Sequence, residues 1–331
     1  MARVRQLVLA GLMALAAATG PTRAETLPGW LTGVALADGA FNSKGTRLNF
    51  DYTYPTAKQV DYFVAKGFRT FRVPLIVRRV LPENESGRES VDWRIIMALV
   101  QHAALSNSQV IIDLHQFGGM PAGLVGRDGV ATEQFVSFWH IIAERLKAQP
   151  NVIFGLMNEP NKQSASEWLS AANAAILAIR HAGAKQLILV PGSYWDGAGN
   201  WTHTDNATVM LGVEDPERNF AYEVHQYLDA DSSGTSKDVV PGSGATRLAA
   251  FTSWARAHRA RGFLGEFGFA ATPEAMKEGA DLLAHMKTNR DVWLGWTYWA
   301  AGAWWGTYMF SVEPNKDGTD KPQMAVLERW K

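Results

Sequence analysis

The feature that most narrows what this chain can fold into is an alternation along almost its whole length. Eight short runs rich in β-branched and apolar residues lie at 31–38, 69–75, 109–115, 152–158, 187–191, 219–227, 262–267 and 293–299. Between most of them, apolar residues recur at helical spacing, at 56–66, 91–106, 132–148, 165–182, 245–260 and 273–288. Thr272, Pro273 and Glu274 read as a helix start with proline in the first turn. The stretch near 202–212, after the fifth run, is a poor helix and the weakest unit. Strands that alternate with helices pair in parallel, because each return needs a crossover. Eight such units favour closure into a barrel. An open doubly wound sheet would carry a glycine-rich phosphate turn after its first strand. Asp38-Gly39-Ala40-Phe41 stands there instead, and neither GxGxxG nor GxxxxGK occurs anywhere. The expected fold is therefore α/β, a single (β/α)8 TIM barrel.

Length and composition agree. A barrel takes about 250 residues plus insertions, and this chain has 331 without repeats, low-complexity tracts or a Pro/Ser/Thr linker. The first 24 residues have the form of an export signal. Arg3 and Arg5 precede an apolar run from Leu7 to Ala18, and Thr22-Arg23-Ala24 offers small residues for cleavage. That run is shorter than the roughly 20 residues a membrane anchor needs. The expected organisation is a signal peptide at 1–24 and one catalytic domain at 25–331. Cleavage removes three of the 32 basic residues and none of the 32 acidic ones, leaving a charge near −3. Such a balance gives no reason to expect nucleic-acid or anionic-membrane binding. The absence of cysteine excludes thiol catalysis and zinc–thiolate sites. Combined with export, it suggests a bacterial periplasmic or extracellular protein, expected to be a monomer.

In such a barrel the C-terminal strand ends share one mouth. There the sequence sets Arg72, His115, Asn158-Glu159-Pro160, His225 with Tyr227, Glu266 and Trp299. Ionisable groups at five of the eight strand ends are costly to bury unless they pair with one another. Glu159 and Glu266 lie 107 residues apart in sequence, yet the fourth and seventh strands bring them to opposite walls of the mouth. Two facing carboxyls suit hydrolysis of a glycoside, one protonating the leaving oxygen while the other attacks or activates water. Their mutual repulsion separates their pKa values, and Arg72 beside Glu266 would favour its anion. The histidines could ligate a metal, but no zincin spacing or third ligand accompanies them. Orienting roles are expected, with no metal and no cofactor. The 13 tryptophans are many for this length, and some must be core. Trp299, Trp304, Trp305, Tyr194, Trp195 and Trp201 are therefore candidates either for the core or for stacking on sugar rings.

Taken in order, Arg72-Val73-Pro74, Leu114-His115, Gly155-Leu156-Met157-Asn158-Glu159-Pro160, His225-Gln226-Tyr227-Leu228-Asp229 and Gly265-Glu266-Phe267-Gly268 resemble glycoside hydrolase family 5. Asp51-Tyr52-Thr53-Tyr54-Pro55, the stretch from His225 to Ser236 and Trp299-Ala300-Ala301-Gly302 resemble its fungal-type endoglucanase branch. The resemblance implies a retaining endo-β-1,4-glucanase, a cellulase acting by double displacement on a β-1,4-glucan. Glu266 would be the nucleophile and Glu159 the acid/base. Asn158 would bond the sugar 2-hydroxyl, and Arg72 and Tyr227 would fix Glu266. His115 and His225 would line the same subsite, with Trp299 stacked beneath. Tyr194, Trp195, Trp201 and Trp305 are candidate outer subsites. The chain departs from the branch at Arg78, at Gln116-Phe117-Gly118-Gly119 and at Gly199, all away from the catalytic set. Cleavage of mannan, xyloglucan or mixed-linkage glucan by the same chemistry, a non-catalytic carbohydrate-binding barrel and a metal-dependent hydrolase are the competing readings.

Overall fold

The computed structural model describes residues 29–81 and 89–331. The export signal read at 1–24 lies outside these residues. Eight parallel strands close into a barrel: β1 (Leu31–Leu36), β2 (Thr70–Leu75), β3 (Gln109–Leu114), β4 (Val152–Gly155), β5 (Ile188–Pro191), β6 (Phe220–His225), β7 (Gly262–Glu266) and β8 (Trp293–Ala301). Each pairs with its sequence neighbours, and β8 closes on β1. The main crossover helices are α1 (Ala57–Ala65), α2 (Val91–Leu105), α3 (Gly129–Leu146), α4 (Ala165–His181), α5 (Ala249–Ala257) and α6 (Pro273–Thr288).

Local chemistry sets the helix boundaries. Thr56 and Gln59 form a capping box at α1, and Ser164 and Glu167 form one at α4, so side chains satisfy amides that have no partner within the helix. Thr272 caps α6, with Pro273 in its first turn as expected. The expected helix at 245–260 breaks in two, a short turn at Ser243–Thr246 followed by α5. After β5 there is no long helix, only short turns at Tyr194–Asp196, Trp201–His203, Asn206–Val209 and Met210–Gly212, in keeping with the poor helical pattern there.

The barrel interior is layered. Leu31, Ile111, Ile153, Leu187, Leu189, Ala221, Phe263 and Leu294 form a small apolar cluster separate from the main core between barrel and helices. Strand side chains alternate, so two residues further along the same inward face come Asp113 on β3 and Glu223 on β6. A Cβ on Gly265 of β7 would fall 2.1 Å from the Glu223 carboxylate, so glycine there makes room for an acid inside the barrel. The fourth run is shorter as a strand than its composition suggests. Beyond Gly155, the Leu156 amide still donates to Leu189 (3.1 Å) and the Asn158 amide to Leu114 (2.8 Å). These two bonds hold the segment carrying Glu159 against its neighbours.

A buried cation organises the rim. Arg79 donates to the carbonyls of Gly39, Phe41, Asn42 and Gly45 at 2.6–3.0 Å, and its guanidinium lies 3.6 Å over the Tyr52 ring. Removing it strips one donor group from four carbonyls at once. Arg79→Ala should therefore cost at least about 2 kcal/mol, read as a lower midpoint in urea unfolding. Arg79→Lys should recover only part of that, since an ammonium cannot fork to four acceptors. A loss below about 0.5 kcal/mol in the alanine variant, the range of an ordinary surface substitution, would contradict this account.

Candidate active site

Arg72 is the hub of the site. It sits in the middle of β2, not at its end as the sequence pattern suggested, and is fully buried. Its guanidinium lies 3.2 Å from Asp113, 3.3 Å from Glu223 and 3.2 Å from Glu266. It also donates to Asn158 Oδ1 at 2.7 Å. Because only the amide oxygen can accept, this bond fixes which way the Asn158 side chain faces. Four side chains from three strands and the loop after β4 are thus tied to one cation.

The two glutamates meet in the mouth about one imidazole, that of His225. Glu266 ends β7; its Oε1 accepts from the Tyr227 hydroxyl at 2.5 Å and its Oε2 from Arg72. Glu159 follows β4 with φ +44°, a left-handed conformation rare outside glycine. Its Oε1 lies 2.8 Å from His225 Nδ1, and the same nitrogen lies 3.9 Å from Glu266 Oε2. The two oxygens are therefore no farther apart than the sum of those legs. That bound accommodates the spacing of about 5–5.5 Å between the carboxyl groups of retaining enzymes. Both side chains keep an opening to solvent, Glu159 at 16% and Glu266 at 8% exposure.

Burial raises the Glu266 carboxyl above its usual range, and Glu159 adds to this; His225 and Arg72 pull it back down. Burial alone would strip the proton from His225. The surrounding Asp196, Glu266, Glu159 and Glu223 outweigh burial and raise the imidazole well above its ordinary value. Burial also pushes Asp113 up, but Arg72 and His115 outweigh it and hold that carboxylate lowered. His115 Nδ1 lies 2.8 Å from Asp113, and its ring stacks on Trp299 at 5.5 Å with 7° between planes.

The aromatic candidates separate by burial. Trp195 is 56% exposed and Tyr194 partly so; both line a cavity of about 370 Å³ with Glu159 and Tyr227. Trp304, 39% exposed, and the half-buried Trp305 face Phe41 at 6.3 and 4.7 Å. Trp201 must be corrected. It is fully buried, packed 5.2–5.6 Å from Tyr222, Phe251 and Trp254, and belongs to the core. A tryptophan beside a weak helix was ambiguous in sequence, and only the packing of that segment against β6 and α5 decides it. Of the departures from the family pattern, Arg78 lines a separate groove with Met120 and Phe138, and Phe117 packs edge-on against His115.

Four acids escaped the sequence reading. Asp113 and Glu223 stand two residues before His115, just past β3, and His225, the last residue of β6, so the two-residue period was the signal that they face inward beside them. Asp38 accepts from the amides of Ala303 (2.8 Å) and Trp304 (3.2 Å), pinning the loop of Trp304 and Trp305 to the end of β1. Burial raises its carboxyl to about 6. Asp196, after β5, had no local signal. Among the described residues, Glu159, Asp196 and His225 bring potential ligand atoms within 4.8 Å of one another. The 2.8 Å contact between Nδ1 and Oε1 is hydrogen-bond spacing, and a protonated imidazole cannot ligate. The geometry therefore suits a shared proton.

The family model for Cellulase (glycosyl hydrolase family 5) matches residues 34–302. Endo-beta-1,4-glucanase B of Aspergillus niger is 35% identical over 283 residues, covering 85% of this chain and 83% of that protein. Among solved structures, a triply substituted endo-beta-1,4-glucanase from Xanthomonas axonopodis pv. citri superposes with TM-score 0.87 at 42% identity. It covers 91% of this chain and 98% of that one. XacCel5A in complex with cellopentaose superposes at 0.88 with 41% identity, over 92% and 100% of the two chains. With the barrel, the buried carboxyl pair and a family match across most of the described chain in hand, the protein belongs to glycosyl hydrolase family 5.

Proposed function

We propose that this chain is a retaining endo-β-1,4-glucanase that cuts internal bonds of a β-1,4-glucan by double displacement. The observation that carries the reading is the pair Glu159 and Glu266 set about one His225 nitrogen, with Glu266 held by Arg72 and Tyr227. In the first step a Glu266 oxygen attacks the anomeric carbon as the glycosidic bond breaks, and Glu159 gives its proton to the departing sugar oxygen. In the second, Glu159 takes a proton from water, which attacks the same carbon and releases Glu266. Arg72 and Tyr227 keep Glu266 aimed and supply hydrogen bonds to its charged form. His225 stabilises Glu159 when it has lost its proton. Asn158, His115 and Trp299 line the sugar at the point of cleavage; Tyr194, Trp195 and Trp305 are its outer contacts.

The cellopentaose bound to XacCel5A supports a glucan chain as substrate. Residues 1–24 would direct export, and 25–331 would form one monomeric catalytic domain acting in the periplasm or outside the cell. No helix among the described residues is long and apolar enough to cross a membrane.

Three measurements test this. On soluble carboxymethylcellulose the wild type should cause rapid viscosity loss. Glu266→Gln and Glu159→Gln should each lose at least about a hundredfold in rate, with unchanged circular dichroism. Product NMR should show the β anomer forming first, and chelator should leave the rate unchanged. Cleavage of mannan or xyloglucan alone would keep the chemistry and overturn the substrate, whereas inactivity on every β-glycan would favour a binding barrel. Acid pH should also be informative. Below its pKa Glu266 is protonated and cannot attack, and burial raises that pKa. The acid limb of kcat/KM should therefore have its midpoint above the ordinary glutamate value of about 4.3. A midpoint at or below that value would contradict the role given to its burial.

A further inference from the structure

Asp196 is an anomaly inside the site. It is fully buried, and neither carboxyl oxygen has a hydrogen-bond partner among the described residues. His225 Nδ1 lies 3.5 Å from it, the same nitrogen that lies 2.8 Å from Glu159 Oε1. Carboxyl oxygens of Asp196 and Glu159 come within 4.8 Å of each other. The backbone takes an unusual path to put it there: Tyr194, Trp195 and Asp196 have φ of +58°, +57° and +43°, three left-handed residues in a row. Such conformations each cost of order 1 kcal/mol or more for a residue with a side chain.

A purely structural role explains little of this. A buried carboxyl without donors loses its hydration and gains no bond, so an apolar or amide side chain would stabilise the same loop better. The groups around Asp196 point instead to proton chemistry. From β6 come His225 and Glu223, from the loop after β4 comes Glu159, and from β2 comes Arg72. Glu266 on β7 faces the same imidazole.

We propose that Asp196 is a positioning residue for proton transfer, forming with Glu159 a carboxyl pair that shares protons about His225. Two carboxyls this close resist ionising together, so the last proton of the pair leaves at higher pH than it would from one carboxyl alone. The pair thereby keeps a proton available for the leaving oxygen under conditions in which a single carboxyl would be ionised. No group is consumed: one proton moves between Asp196, His225 and Glu159, and the pair is restored when water gives up its proton in the second step. This inference rests on Glu159 being the acid/base.

The test compares pH profiles of kcat/KM for wild type and Asp196→Asn on two substrates. Carboxymethylcellulose has a poor leaving group and needs a proton donor. A 2,4-dinitrophenyl β-cellobioside has a leaving group that departs without one. Asp196→Asn is isosteric and breaks no hydrogen bond seen here; Asp196→Ser serves as a second variant, and thermal unfolding checks the fold of both. The expected result is an alkaline limb moved to lower pH by about one unit or more on carboxymethylcellulose, with the dinitrophenyl profile unmoved. Superimposable profiles on carboxymethylcellulose, or equal displacement on both substrates, would overturn the proposal and leave the role of Glu159 standing. An equal alkaline limb on both substrates in the wild type would overturn the assignment of Glu159 and this inference with it.

Discussion

The site depends on one buried guanidinium. Arg72 sits inside the barrel with no exposure and faces Asp113, Glu223, Glu266 and Asn158. Moving an ion into such a place costs several kcal/mol unless partners surround it. Two of the partners here, Glu266 and Asn158, also serve the proposed chemistry. Because those acids come from β3, β6 and β7, closing the barrel and neutralising Arg72 are parts of one event. A sheet that failed to close would leave the cation unpaired, and a barrel without the cation would bury its acids unpaired.

Charge balance accounts for the next layer. Five carboxyls, on Asp113, Glu159, Asp196, Glu223 and Glu266, face Arg72 and the imidazoles of His115 and His225. Acids outnumber the permanent cation, so protons must make up the difference. This is why His225 keeps its proton despite burial, and why burial raises Asp196 and Glu266 while Asp113, beside both Arg72 and His115, is lowered. A set of neighbours whose proton affinities are pushed apart is what acid/base catalysis at mild pH requires.

The rim follows another rule. Arg79 and Asp38 are buried charges that bond chiefly to backbone, one to carbonyls of residues 39–45 and the other to amides of 303 and 304. Between them they hold Phe41 against both Trp304 and Trp305. Loops on a barrel face are otherwise free to vary, and these internal anchors let them present rigid aromatic surface. Trp195 is held differently, by left-handed backbone and a hydrogen bond from its amide to the Pro160 carbonyl at 3.0 Å.

Much of this was legible in the amino-acid order. Alternating strand and helix periods specify a parallel closed sheet because period and connection length are local properties. Arg72, Asn158, Glu159, His225, Tyr227 and Glu266 stood out because polar residues next to apolar strands are expensive unless used together. Asp113 and Glu223 were readable in principle from the two-residue alternation. Other features were not local. That Trp201 fills the core while Trp195 meets solvent depends on how a short, weakly helical segment packs against β6 and α5. That Asp196 reaches His225 depends on three successive left-handed residues, which no composition signals. The sequence by itself determined the barrel and the identity of the facing carboxyls, because both follow from periodicity and from the cost of burying charge. Only the tertiary structure decided which groups share a proton and which aromatic rings meet solvent, because both are set by distances between residues far apart in the chain.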